Sequence, residues 1–202
     1  MRYTHTAVAA LIMMTGYTAS AAAMTVFDLP LQQPFALSEC PYTHITKKAG
    51  YYNPPASGVC YQSTNDAIAG THAAITNDTV KIVWKTSPKL VSDPFFALGT
   101  IIDGNLEGVS FNTMGVQAQE RDMDLLTAKF GTPSKVLKPT MQNGYGVQYV
   151  ALNAEWRLED IVVSYSSAMS SLTSGVVIVD TTKSAAARKA TLERLTHGGP
   201  SL

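Results

Sequence analysis

Three pairs of acids are spaced so that two carboxylates could flank one substrate: Asp103 with Glu107, Asp122 with Asp124, and Glu159 with Asp160. Glycoside cleavage uses such a pair, with carboxyls about 5–9.5 Å apart across the sugar. Two of the pairs have an evident plainer use. Asp103 opens an Asp-Gly-Asn turn, and Asp122 and Asp124 suit the solvated side of a helix. The plainer reading is preferred for all three. A nucleophile elbow needs G-x-S-x-G. Gly108-Val109-Ser110 comes nearest, but Asn112 stands where the second glycine should be, and the stretch reads as a strand. Ser–His–Asp sites are defined by geometry rather than order, so a dispersed one stays open. His44, His72 and His197 are widely separated and fit no H-E-x-x-H pattern. The glycine stretches IIDGNLEG and QNGYGVQ lack the order of phosphate-binding loops. No catalytic residue, metal site or cofactor is expected.

Two cysteines remain, Cys40 and Cys60. A redox pair is usually C-x-x-C, and these are 20 apart. Zinc needs more ligands at short spacing, and only His44 is close. A Cys40–Cys60 disulfide is the simplest reading, provided the chain reaches an oxidising compartment. Its N-terminus points there. Arg2 and His5 precede an apolar run from Ala7 to Met14, followed by small residues with A-x-A patterns near residue 21. That is the layout of a secretory leader, too short to span a bilayer. Residues 1–23 are read as a signal peptide and residues 24–202 as one domain. The mature chain is expected to be soluble and to be periplasmic or secreted.

The bridge would close a loop of about 20 residues, worth roughly 3 kcal/mol in the chain-entropy model. Tyr42, Tyr51, Tyr52 and Tyr61 flank it, with Lys47 and Lys48 at its centre. Tyrosine offers large contact area at small entropy cost. Tyr42, Lys48, Tyr51, Tyr52 and Tyr61 are therefore the candidate partner-binding residues. The competing use of the rings is packing beneath the loop.

The elements that must carry this loop follow from periodicity. Residues 24–37, with Pro30 and Pro34, read as an edge strand or extended arm. Residues 57–62 run into a short strand, and 64–78 fit no element. In TVKIVWK, Val80, Ile82 and Trp84 alternate with Lys81, Val83 and Lys85, which predicts a strand with one buried face. Residues 95–113 form a hairpin about Asp103-Gly104-Asn105. Val116, Met123, Leu126 and Phe130 make one helical stripe over residues 114–130, ended by Gly131 and Pro133. Asn143-Gly144 is a turn, and VQYVALN, IVVSYSS and GVVIVDT have strand composition. Residues 183–196 are rich in helix formers but carry a thin apolar stripe, and 197–202 should fray. The fold class is α+β: a single antiparallel sheet of short hairpin-connected strands, with one or two helices packed on one face.

LLTAKFGTP, residues 125–133, is similar to an element of small exported bacterial proteins, in which an amphipathic helix ends in K-F/Y-G-x-P before a hairpin. With PFALSEC (34–40), Leu106-Glu107 and Trp156, the chain resembles a group of uncharacterised secreted or periplasmic proteins. The resemblance implies a bacterial source and a periplasmic home, and carries no catalytic residues.

The whole chain has 15 basic and 15 acidic side chains. Loss of residues 1–23 removes only Arg2 among them, leaving a net charge of about −1. That balance disfavours nucleic acid and anionic membrane surfaces as partners. No mature segment suits a membrane span. The expected function is non-enzymatic: a protein-binding or inhibitor-like envelope protein using its stapled aromatic loop on another envelope protein. The alternatives are a hydrolase of envelope polymers, with Asp103, Glu107 or His44 gathered in a cleft, and a structural subunit of a secreted assembly.

Overall fold

The computed structural model describes residues 24–46, 49–55, 58–65, 67–86, 91, 96–142 and 144–197. The expected leader, Lys47, Lys48, Asn143 and the tail after His197 lie outside them. In chain order the strands are β1 (Thr25–Val26), β2 (Leu29–Pro30), β3 (Gln33–Pro34), β4 (Tyr42–Thr46), β5 (Ala49–Tyr52), β6 (Val59–Ser63), β7 (Asp78–Trp84), β8 (Ala97–Ile102) and β9 (Asn105–Thr113). A 3-10 turn (Gly115–Ala118) leads into α1 (Gln119–Phe130). Then come β10 (Lys135–Leu137), β11 (Thr140–Gln142), β12 (Gln148–Val150), β13 (Asn153–Arg157), β14 (Ile161–Ser171), β15 (Ser174–Thr181) and α2 (Thr182–His197).

One large antiparallel sheet dominates, in the order β10-β13-β14-β15-β9-β8-β7-β6, with β3 also paired to β9. Its register explains the core. Residues opposite one another point the same way. Trp156, Val163, Val179, Val109, Gly99 and Val80 form one row across the sheet. Ala154, Tyr165, Val177, Phe111, Ala97, Ile82 and Tyr61 form the next. The side chains of both rows are buried. The period-two pattern of residues 79–85 therefore sets the face as expected, with Val80 and Ile82 fully enclosed. The Asp103-Gly104 turn takes left-handed φ angles of 51° and 78°, which is why Asp-Gly suits it.

α1 covers the Trp156 end of this apolar face. Leu126 and Phe130 are buried, and the Phe130 and Trp156 ring centroids lie 6.3 Å apart. Trp156 Nε1 donates to the carbonyl of Gly131, the stop residue, at 2.7 Å. The stripe differs from expectation in two respects. Asp122 is not solvated: it lies at i−4 from Leu126 and is fully buried. Val116 sits in the 3-10 turn rather than in the α-helix.

α2 takes a different position. Its Ser184 and Arg188 bond to Asp180. Asp180 follows core-facing Val179 in β15, so its side chain emerges on the reverse face. Only α1 thus packs on the apolar face, and α2 is attached behind it. Among the described residues, no helix is long and apolar enough to cross a membrane.

The stretch expected as one strand, 147–153, is divided. β12 pairs with β11 in a separate hairpin, and β13 begins at Asn153 within the large sheet. The break is held by hydrogen bonds. Ala151 N–H donates to Pro139 O, and Leu152 N–H reaches Ser167 Oγ.

Candidate functional site

The disulfide joins Cys40 to Cys60, both buried. Cys60 belongs to β6, the last strand of the sheet. Residues 38–40 run alongside that strand: Cys40 N–H donates to Tyr61 O at 2.7 Å, and Tyr61 N–H donates to Ser38 O at 3.0 Å. The bridge therefore fastens the foot of the β4–β5 hairpin to the sheet edge rather than closing a loose loop.

The hairpin register separates the tyrosines. Tyr42 pairs with Tyr52, and Thr43 with Tyr51. On one face the Tyr42 and Tyr52 rings meet edge to face at 4.8 Å, and Tyr42 also meets His44 at 4.9 Å. That face packs inward. Tyr42 lies so close to Gly70 that a β-carbon there would run into its ring. On the other face Tyr51 is 54% exposed, and Ile45, at the register irregularity between His44 and Thr46 nearer the tip, is 70% exposed. Tyr61 is buried in the second core row, with its ring 5.3 Å from Phe35. Of the aromatic residues singled out from the sequence, Tyr51 alone presents an open ring. Tyr42 and Tyr52 anchor it, and Tyr61 belongs to the core.

Beneath the hairpin lies Glu39, which no sequence motif identified. Its side chain is 1% exposed. Its carboxylate accepts Tyr52 O–H at 2.5 Å, Gly70 N–H at 2.6 Å and His72 N–H at 2.8 Å. The Nδ1 atom of His72 stands 3.3 Å away. Burial works against the charged form, but these donors outweigh it and hold the carboxyl below its ordinary value. Tyr52 also accepts Ser63 N–H at 3.0 Å. Burial, and then the Glu39 carboxylate, push the Tyr52 hydroxyl up to about 12. Burial with the same carboxylate raises Tyr61 as well. Within the stretch that fitted no element, Gly70 and His72 thus floor the site, tied down by Glu39. The only clue in the sequence is an acid beside a bridging cysteine with no basic residue near it.

The acids proposed for hydrolysis have structural partners. Lys183 Nζ lies 2.7 Å from Asp103 Oδ2 and 3.9 Å from Glu107 Oε1. Lys183 holds the Asp103 carboxyl below its ordinary value. Glu107 is buried and accepts Thr181 O–H at 2.6 Å. His44 is far along the chain from both, on the hairpin and against Tyr42. Gly108 is explained by packing rather than by an elbow. A β-carbon there would strike Asp180 Oδ1 and Ser184 Oγ, where α2 meets the sheet.

No protein-family model, curated protein or solved structure matches the chain.

Proposed function

We propose that this is an exported, non-enzymatic binding protein of a bacterial envelope, periplasmic or secreted, that grips another envelope protein with the outer face of its stapled hairpin. Residues 1–23 are its leader, and the oxidising space beyond the membrane maintains the Cys40–Cys60 bridge. The carrying observation is the division of labour in β4–β5. Tyr42, Tyr52, Glu39 and the bridge fix the inner face, while Tyr51 and Ile45 stand open on a base that has already lost its conformational freedom. Preorganisation lowers the cost of binding, and exposed tyrosines serve as anchors.

The test is a double variant, Ile45→Ser with Tyr51→Ser. Both side chains are exposed, so its stability should match that of the parent to within about 0.5 kcal/mol. Its affinity for a partner captured from envelope extract by the oxidised protein should fall by about 30-fold or more, as loss of a hot spot implies. Undiminished capture by this variant rejects the hairpin as the interface.

A further inference from the structure

A cleft that neither Tyr51 nor Ile45 lines lies between the N-terminal arm and the β6–β7 edge. Its volume is about 470 Å³. Phe27, Phe35 and Trp84 give it aromatic walls, and Pro30, Val59 and Leu106 add apolar surface. Among the described residues its polar lining is sparse: Asp28, Lys85, Thr86 and the backbone of Gly58. Small-molecule sites commonly span about 300–1,000 Å³, with apolar walls and a few polar groups that fix orientation. An apolar cavity of about 150 Å³ holds benzene. This cleft therefore has room for two or three rings.

The backbone of the arm carries a further sign. Phe27, Asp28 and Gln32 have φ angles of 52°, 63° and 61°. The left-handed region is costly for a side chain as bulky as phenylalanine. Phe27 and Asp28 are the two central residues of the turn joining β1 to β2, a position that usually takes Asn-Gly. An Asn-Gly turn would form the hairpin with less strain. It would also remove an aromatic wall and a carboxylate from the cleft. In the turn observed, the Phe27 ring lies 5.3 Å from that of Trp84 and 4.7 Å from that of Phe111. Backbone strain of this kind concentrates at ligand sites, where the surrounding structure holds it in place.

We propose that this cleft binds a small, neutral aromatic molecule of two to three rings bearing one polar group. Aromatic walls favour ring partners. Asp28 and Lys85 bring one charge of each sign, so neither a cation nor an anion gains a net advantage.

The probe is N-phenyl-1-naphthylamine, neutral and three-ringed with one N–H, titrated into the oxidised protein. Its fluorescence should rise to saturation at one molecule per chain. Emission from Trp84 should fall in step, while Trp156, enclosed in the core, should respond less. Ala36→Trp and Thr86→Trp, at exposed positions on opposite parts of the lining, should each weaken binding at least tenfold without moving the thermal midpoint. The Ile45→Ser, Tyr51→Ser variant should bind the probe as the parent does, which separates this site from the hairpin interface. 1-Naphthoate and 1-naphthylmethylammonium should both bind more weakly than the neutral probe. Signal that never saturates, or equal affinity in both folded tryptophan variants, overturns the proposal. Preference for either ion overturns the assignment of a neutral ligand.

Discussion

Glu39 joins three stretches of chain that are distant in sequence: the edge-lining segment 38–40, the inner face of the hairpin through Tyr52, and the floor through Gly70 and His72. A glutamine keeps the shape but turns an N–H₂ toward donors that need an acceptor. Glu39→Gln should cost about 2 kcal/mol at pH 7, because buried donors lose their partner. For a chain of this size that lowers the thermal midpoint by roughly 4–8 °C. The effect should depend on pH with a definite sign. The folded carboxyl is held below its ordinary value of 4.5, so its stabilisation is fully present above that value. It is lost as pH falls through the folded value. Parent and variant midpoints, measured from pH 7 to pH 3, should therefore converge on the acid side. A gap that stays constant over that range would show that Glu39 acts through shape alone.

Among the elements, α2 was expected as a helix, but the way it is held was not. It is a 16-residue helix in which Ser184 is buried while Leu192 and Leu195 are 57% and 73% exposed. Burial of an apolar stripe, the usual support of a helix, contributes little here. Polar contacts at its first turns replace it. Thr181 Oγ1 accepts Ser184 N–H, capping the helix, and Asp180 receives Ser184 O–H and two N–H groups of Arg188. This seat exists because β9 has no side chain at Gly108. Gly108→Ala should push Asp180 and Ser184 away and cost about 1–3 kcal/mol, as overpacking does. Hydrogen exchange should show the loss first in the amides of α2, with β14 still protected. Equal protection of α2 in parent and variant would mean that the helix is not seated through Asp180. The thin stripe was readable in the sequence, but this seat was not. It depends on three elements meeting at one carboxylate, and periodicity within one element carries no trace of that.

The same limit runs through the whole molecule. What depends on neighbours in sequence was legible: the alternation of β7, the Asp103-Gly104 turn, the helix ending at Gly131, and the bridge between the only two cysteines. What depends on distant partners was not. Asp122 reads as a solvated acid until α1 is laid on the sheet, and Glu39 is silent until Gly70 and His72 fold against it. The tyrosines sort into anchor, core and open surface only through the register of β4 with β5. The bridge links these scales. Cys60 precedes Tyr61, which lies in the core row, and Cys40 is fully buried beside it. Opening the disulfide should therefore weaken the entire sheet rather than free a lobe. Losing closure of the 20-residue span costs about 3 kcal/mol. The midpoint should then fall by roughly 6–12 °C in reductant, or in a Cys40→Ser, Cys60→Ser variant. The transition should remain single, because the edge strand and the core unfold together. A separate early transition, with the main midpoint unmoved, would show that the hairpin and its foot form an independent unit, and the proposed binding would then lack its rigid base.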